Sequence, residues 1–81
     1  MSVPKSNSAS SLKDQIVAAR ATMIRGRYMA EAGWLARIDT SPDSCGTTGA
    51  REGLRVTSVV ARELGFPDVA DWINEFLDSA D

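Results

Sequence analysis

An all-α fold is predicted for this 81-residue chain: a small bundle of three to four helices with a C-terminal helical hairpin. Apolar residues recur at spacings of three, four and seven, the period of an amphipathic helix. No segment alternates apolar and polar residues with the period of two that a half-buried strand needs. Glycine, proline and short polar residues gather at a few places that divide the periodic stretches, as turns do.

Residues 1–11, "MSVPKSNSASS", hold five serines and one proline but nothing large enough to anchor them, and read as a mobile tail before a single helical domain over 12–81. The first helix opens with a capping signature. Ser11 can accept from the amide three residues on, and Asp14 sets a carboxylate at the positive helix end. From there Leu12, Ile16, Ala19, Met23, Ala30 and Trp34 form one stripe, and Val17, Ile24, Tyr28, Leu35 and Ile38 form a second beside it. Two stripes are wider than one neighbouring helix covers, so contact with two neighbours is expected.

Gly26 and Gly33 fall inside this stretch, each costing about 1 kcal/mol relative to alanine in a helix interior. They mark either a kink in one long helix or the boundary between two shorter ones. In a continuous helix, Thr22, Gly26, Ala30 and Gly33 would lie along one side, where small residues let another backbone come close. The segment Asp39 to Ala50, "DTSPDSCGTTGA", is turn chemistry throughout and is expected as a loop.

Helix two is predicted over Arg51 to Leu64, burying Leu54, Val59, Val60, Ala61 and Leu64, with Gly65 as its C-terminal cap and Phe66-Pro67 as the corner. Helix three opens near Val69, with Asp68 and Asp71 at cap and first-turn positions, and buries Val69, Trp72, Ile73, Phe76 and Leu77.

Composition narrows the chemistry. With 43% hydrophobic and 25% charged residues the chain is globular, and at this length it holds one domain with a thin core. The longest apolar run, Ile16 to Ala19, falls far short of the roughly 20 residues that cross a bilayer, so no membrane is expected. No apolar signal core stands at the N-terminus and Cys45 is the sole cysteine, which gives a cytoplasmic expectation. Histidine is absent, so no Ser-His-Asp or Cys-His arrangement exists and the common zinc ligands are missing. The expectation is a protein that is not an enzyme and carries no cofactor or metal.

Charge is unevenly placed. Residues 1–65 carry nine basic and six acidic side chains, net +3, whereas 66–81 carry five acids and no base, net −5. Acids near a helix C-terminus oppose the macrodipole at about 0.3–1 kcal/mol each, so Asp78 and Asp81 need an offset. Arg51, Arg55 and Arg62 on helix two could supply it from within. The functional alternative leaves the flank to others: Asp71, Glu75 and Asp78 steer a partner with a basic surface, and Trp72 and Phe76 anchor it.

Nucleic acid is the rival partner. Ala61 and Gly65 followed by a turn have the outline of a helix-turn-helix, but the would-be recognition helix presents Asp68, Asp71, Glu75 and Asp78 to phosphate. A transcriptional regulator would instead use the basic faces of helices one and two, with Lys13, Arg20, Arg25 and Arg27 as the basic set on helix one. Gly46 and Gly49 before a helix offer only a weak phosphate cradle, lacking the lysine and strand of a P-loop. The reading that results is a small protein-interaction or regulatory module, an adaptor, inhibitor or accessory subunit. Its contact faces are helix three and the small-residue side of helix one, and a homodimer is its simplest form.

Overall fold

The computed structural model describes residues 11–79. Four α-helices follow in order: α1 Leu12–Arg25, α2 Met29–Thr40, α3 Thr48–Glu63 and α4 Pro67–Ser79, with a 3-10 turn Pro42–Cys45 between α2 and α3. No strand occurs among the described residues, and the molecule is a compact all-α bundle closed by the α3–α4 hairpin. The tail expected over 1–11 lies outside the described residues except for Ser11.

The start of α1 is set by the Ser11 side chain, which accepts from the Asp14 amide at 3.2 Å. Its end answers the question posed by the two glycines: there are two helices, parted at residues 26–28. The Tyr28 amide donates to the Met23 carbonyl at 2.7 Å and the Arg27 amide to the Ile24 carbonyl at 3.1 Å, the paired bonds of a Schellman closure. α3 ends the same way, with Phe66 donating to Ala61 at 2.9 Å and Gly65 to Arg62 at 3.2 Å.

The motif needs one left-handed residue, and the two ends differ in what fills it. At α3 it is Gly65, φ 97°; at α1 it is Arg27, φ 71°, with Gly26 one position too early to serve. A side chain in that region costs about 1–2 kcal/mol. Arg27→Gly is therefore expected to stabilise the fold by about 0.5–1 kcal/mol, the remainder being lost to the greater freedom of glycine in the unfolded chain. Thermal unfolding followed by circular dichroism checks this, and an unchanged or lowered midpoint would refute it.

α1 packs against α2 and α4, α2 also against α3, and α3 against α4. Met23 of α1, Leu35 of α2, Leu54 of α3 and Val69 and Ile73 of α4 meet at full burial in the centre. Cys45, at the end of the 3-10 turn, is buried with them rather than displayed in an exposed loop. The expected loop over residues 39–50 shrinks accordingly. α2 runs on to Thr40, and α3 begins at Thr48 instead of Arg51 because the Thr47 hydroxyl accepts from the Ala50 amide at 3.3 Å and caps the helix.

The buried face of α3 also differs from expectation. Leu54 and Ala61 are buried as expected, and Val60 and Leu64 are half-buried, but Val59 is 54% exposed and Thr57 and Ser58 take its place inside. At 100° per residue Thr57 and Ser58 flank the Leu54–Ala61 line, while Val59 lies about 140° from it. The two buried hydroxyls cost little because each bonds within its own helix, Thr57 to the Gly53 carbonyl at 2.7 Å and Ser58 to the Arg55 carbonyl at 2.8 Å.

The small-residue side of helix one does not exist as a continuous face. With the chain breaking at 26–28, Thr22 and Gly33 belong to different helices, and Thr22 is occupied locally, donating to the Ala18 carbonyl at 3.0 Å. Close approach happens instead at Gly53 of α3, where the Trp34 indole of α2 sits over the glycine with its Cδ1 only 2.9 Å from where a Cβ would stand.

Candidate functional site

α4 is acidic on its outer flank, and the bundle supplies part of the balance itself. Arg62 of α3 donates to the Asp71 carboxylate at 2.9 Å, both side chains remaining more than half exposed. Arg51 of α3 reaches the end of α4 and donates to the Leu77 carbonyl at 3.1 Å. The cation that α4 lacks at its negative end thus comes from the facing helix. Arg55 does not join them; it pairs with Glu52 on its own helix at 3.3 Å.

Glu75 and Asp78 are exposed and form no ion pair with another described residue. Trp72 and Phe76 are half-buried and packed against the core, so most of each ring already serves the fold. Of the five residues expected to bind a partner on α4, two carboxylates therefore stay fully available, one is tethered and the two aromatics face largely inward.

The basic set of α1 is divided in a similar way. Lys13 and Arg20 fall on one side of the helix, and within about 60° of the same arc stand Val17 and Ile24. Arg25 lies on the opposite side and donates to the Thr22 hydroxyl at 3.1 Å. Arg27 sits in the interhelical turn. These four cations make no continuous basic face of the kind that tracks a phosphate backbone.

A different feature occupies the Lys13–Arg20 side. Between α1 and α2 an open groove of about 230 Å³ is lined by Arg20, Ile24, Met29, Ala32, Gly33 and Ala36. Ile24 is 49% exposed and Met29 61%, with Tyr28 and Val17 exposed close by in the chain. Gly33 contributes to the groove by what it lacks: nothing lies within 4 Å of the position its Cβ would occupy. The Nε of Arg20, one of the lining residues, is buried and has no hydrogen-bond partner among the described residues.

The periodicity of the sequence contained half of this surface. Val17, Ile24 and Tyr28 belong to the second apolar stripe, expected to meet a second neighbour; α1 does have two neighbours, α2 and α4, yet that stripe faces neither fully. Met29 carried no such signal, and Gly33 was read only as part of the small-residue side of one continuous helix, since the role of both depends on α2 folding back alongside α1. Among the described residues no group of three His, Cys, Asp or Glu side chains is placed to hold a metal ion, and no helix is long and apolar enough to cross a membrane. No family model, curated protein or solved structure matches this chain.

Proposed function

We propose that this chain is a small, non-enzymatic, cytoplasmic interaction or regulatory module, an adaptor, inhibitor or accessory subunit, that binds a protein partner through the groove between α1 and α2. The observation that carries this reading is the cluster of exposed apolar side chains, Ile24 and Met29 above all, around a concavity that the bundle does not fill. A scattered exposed valine needs no explanation, and Val56 and Val59 on α3 are of that kind. A contiguous apolar patch with a depression in it is what partner surfaces look like.

Size and shape favour a protein over a small ligand. Enclosed ligand pockets begin at roughly 300 Å³ and wrap most of their ligand; this groove is smaller and open along its length. The acidic flank of α4 plays a lesser part in this reading, because Asp71 is tied to Arg62 and the aromatic anchors are engaged in the core. Nucleic-acid binding receives no support from the dispersed placement of Lys13, Arg20, Arg25 and Arg27.

Affinity capture from the native cell extract, with wild-type protein and an Ile24→Asn/Met29→Gln double variant as parallel baits, tests the proposal. Both substitutions are at exposed sites and should change stability by less than about 1 kcal/mol in total. The expected result is a protein retained by the wild type and lost by the variant. Identical capture by the two baits, or none by either, would remove the groove as the functional surface.

A further inference from the structure

We infer that the occupant of the α1–α2 groove is an acidic amphipathic helix of another protein, one of whose carboxylates bonds Arg20. The inference rests on the groove being the partner surface and concerns what enters it. Its starting point is Arg20, a half-buried cation lining the groove, whose Nε is shut away from solvent and has no acceptor among the described residues. A partly desolvated guanidinium with so little internal pairing gains from an acceptor at its accessible nitrogens, and the acceptor that fits its fork best is a carboxylate.

The rest of the groove selects among carriers of negative charge. Ile24, Met29, Ala32, Gly33 and Ala36 offer no hydrogen bonds from their side chains and would gain nothing from phosphate. They would be dried by an apolar stripe, so the ligand must be apolar and anionic along one edge. An amphipathic helix with leucine-like residues at i, i+3, i+4 and i+7 and an acid beside them meets both demands. Gly33 and its neighbours Ala32 and Ala36 keep the α2 wall low, so that such a helix can lie close.

Lys13 stands one end of the same side of α1 and extends the positive edge. The same charges weigh against a second copy of this chain as the occupant. A two-fold contact through this face would set Lys13 and Arg20 of both copies around one apolar seam, where like charges repel.

The test is selection of a displayed library of 18-residue helical peptides, with randomised apolar and flanking positions, on three immobilised baits. These are the wild-type chain, Arg20→Glu and Gly33→Gln, each first shown by circular dichroism to keep wild-type helical content. On the wild type, selected peptides should be enriched in Asp and Glu next to the apolar stripe, with affinity falling about tenfold against an Arg20→Gln protein. On Arg20→Glu the enrichment should invert to Lys and Arg, and Gly33→Gln should select little because its side chain fills the groove.

Enrichment of neutral or basic peptides on the wild type would overturn the inference, as would acidic enrichment that survives unchanged on Arg20→Glu. Failure to enrich any peptide would overturn it too. If capture from extract still depends on Ile24 and Met29 in that event, the groove remains the partner surface and only the nature of the occupant is wrong. Analytical ultracentrifugation of the wild type adds the remaining arm: a dimer abolished by Ile24→Asn/Met29→Gln would give the groove to a second copy instead.

Discussion

Replacing Gly53 by alanine is expected to destabilise the protein by about 2 kcal/mol, against the rule that alanine improves a helix. Elsewhere in a helix the change would gain about 1 kcal/mol from propensity. Here the new methyl would overlap Nε1 and Cε2 of the Trp34 indole, the contact through which α2 rests on α3. The ring would have to leave its half-buried seat, breaking its packing against the core and disturbing the stack with Arg37, whose guanidinium lies 5.2 Å from the ring centroid. Overpacking typically costs about 1–3 kcal/mol, and the displaced apolar area adds to it.

In a domain whose whole stability is expected to be only a few kcal/mol, that loss is large. Urea denaturation followed by circular dichroism measures it. Pairing the change with Trp34→Leu separates cause from coincidence. Without the indole the alanine has room, so its cost should disappear and the double-variant cycle should show a coupling of about 1 kcal/mol or more. An equal effect of Gly53→Ala in both backgrounds would mean that the indole is not what the glycine accommodates.

Gly53 also marks where the reach of the sequence ended. The helices, their caps at Ser11 and Gly65 and the hairpin of α3 with α4 followed from local chemistry: hydroxyl caps, helical period and a turn glycine before proline. The close approach did not, because a helical glycine acquires its meaning only from what lies opposite, and Trp34 is 19 positions away in the chain. The same holds for the break after Arg25. Gly26 drew notice as the mark of a kink or a boundary, yet the bonds from Arg27 and Tyr28 put the left-handed residue of the turn one position later.

Charge followed a similar course. That α4 needs a cation at its C-terminal end was evident from composition, and that Arg51 rather than Arg55 provides it depends on the crossing of α3 over α4. Thr57 and Ser58 were hidden for a different reason. Polar residues are read as surface by default, and only the i→i−3 and i→i−4 bonds they make to carbonyls of their own helix let them go inside at low cost.

The second apolar stripe contains the sharpest test of how the fold and the groove divide the work. Ile24 and Leu35 were equivalent by spacing, members of one line on one expected face. The turn at 26–28 sends them to different fates: Leu35 is completely buried between the helices, while Ile24 is 49% exposed at the groove. Leu35→Ala should therefore cost about 3 kcal/mol, the lost transfer energy plus that of an unfilled cavity, and lower the melting midpoint by on the order of 15 °C.

Ile24→Ala should cost about 0.5 kcal/mol or less, since half of the side chain is already in water. Binding should rank the two in the opposite order. Measured well below either melting temperature, on the acidic helical peptides selected by the wild type, Ile24→Ala should weaken affinity several-fold by removing an apolar contact. Leu35→Ala should weaken it only in proportion to the fraction unfolded. A protein that lost stability equally from both changes would have no free apolar face on α1. One that lost binding from neither, while folded, would place its partner elsewhere on the bundle, with the exposed carboxylates Glu75 and Asp78 of α4 as the next surface to reverse in charge.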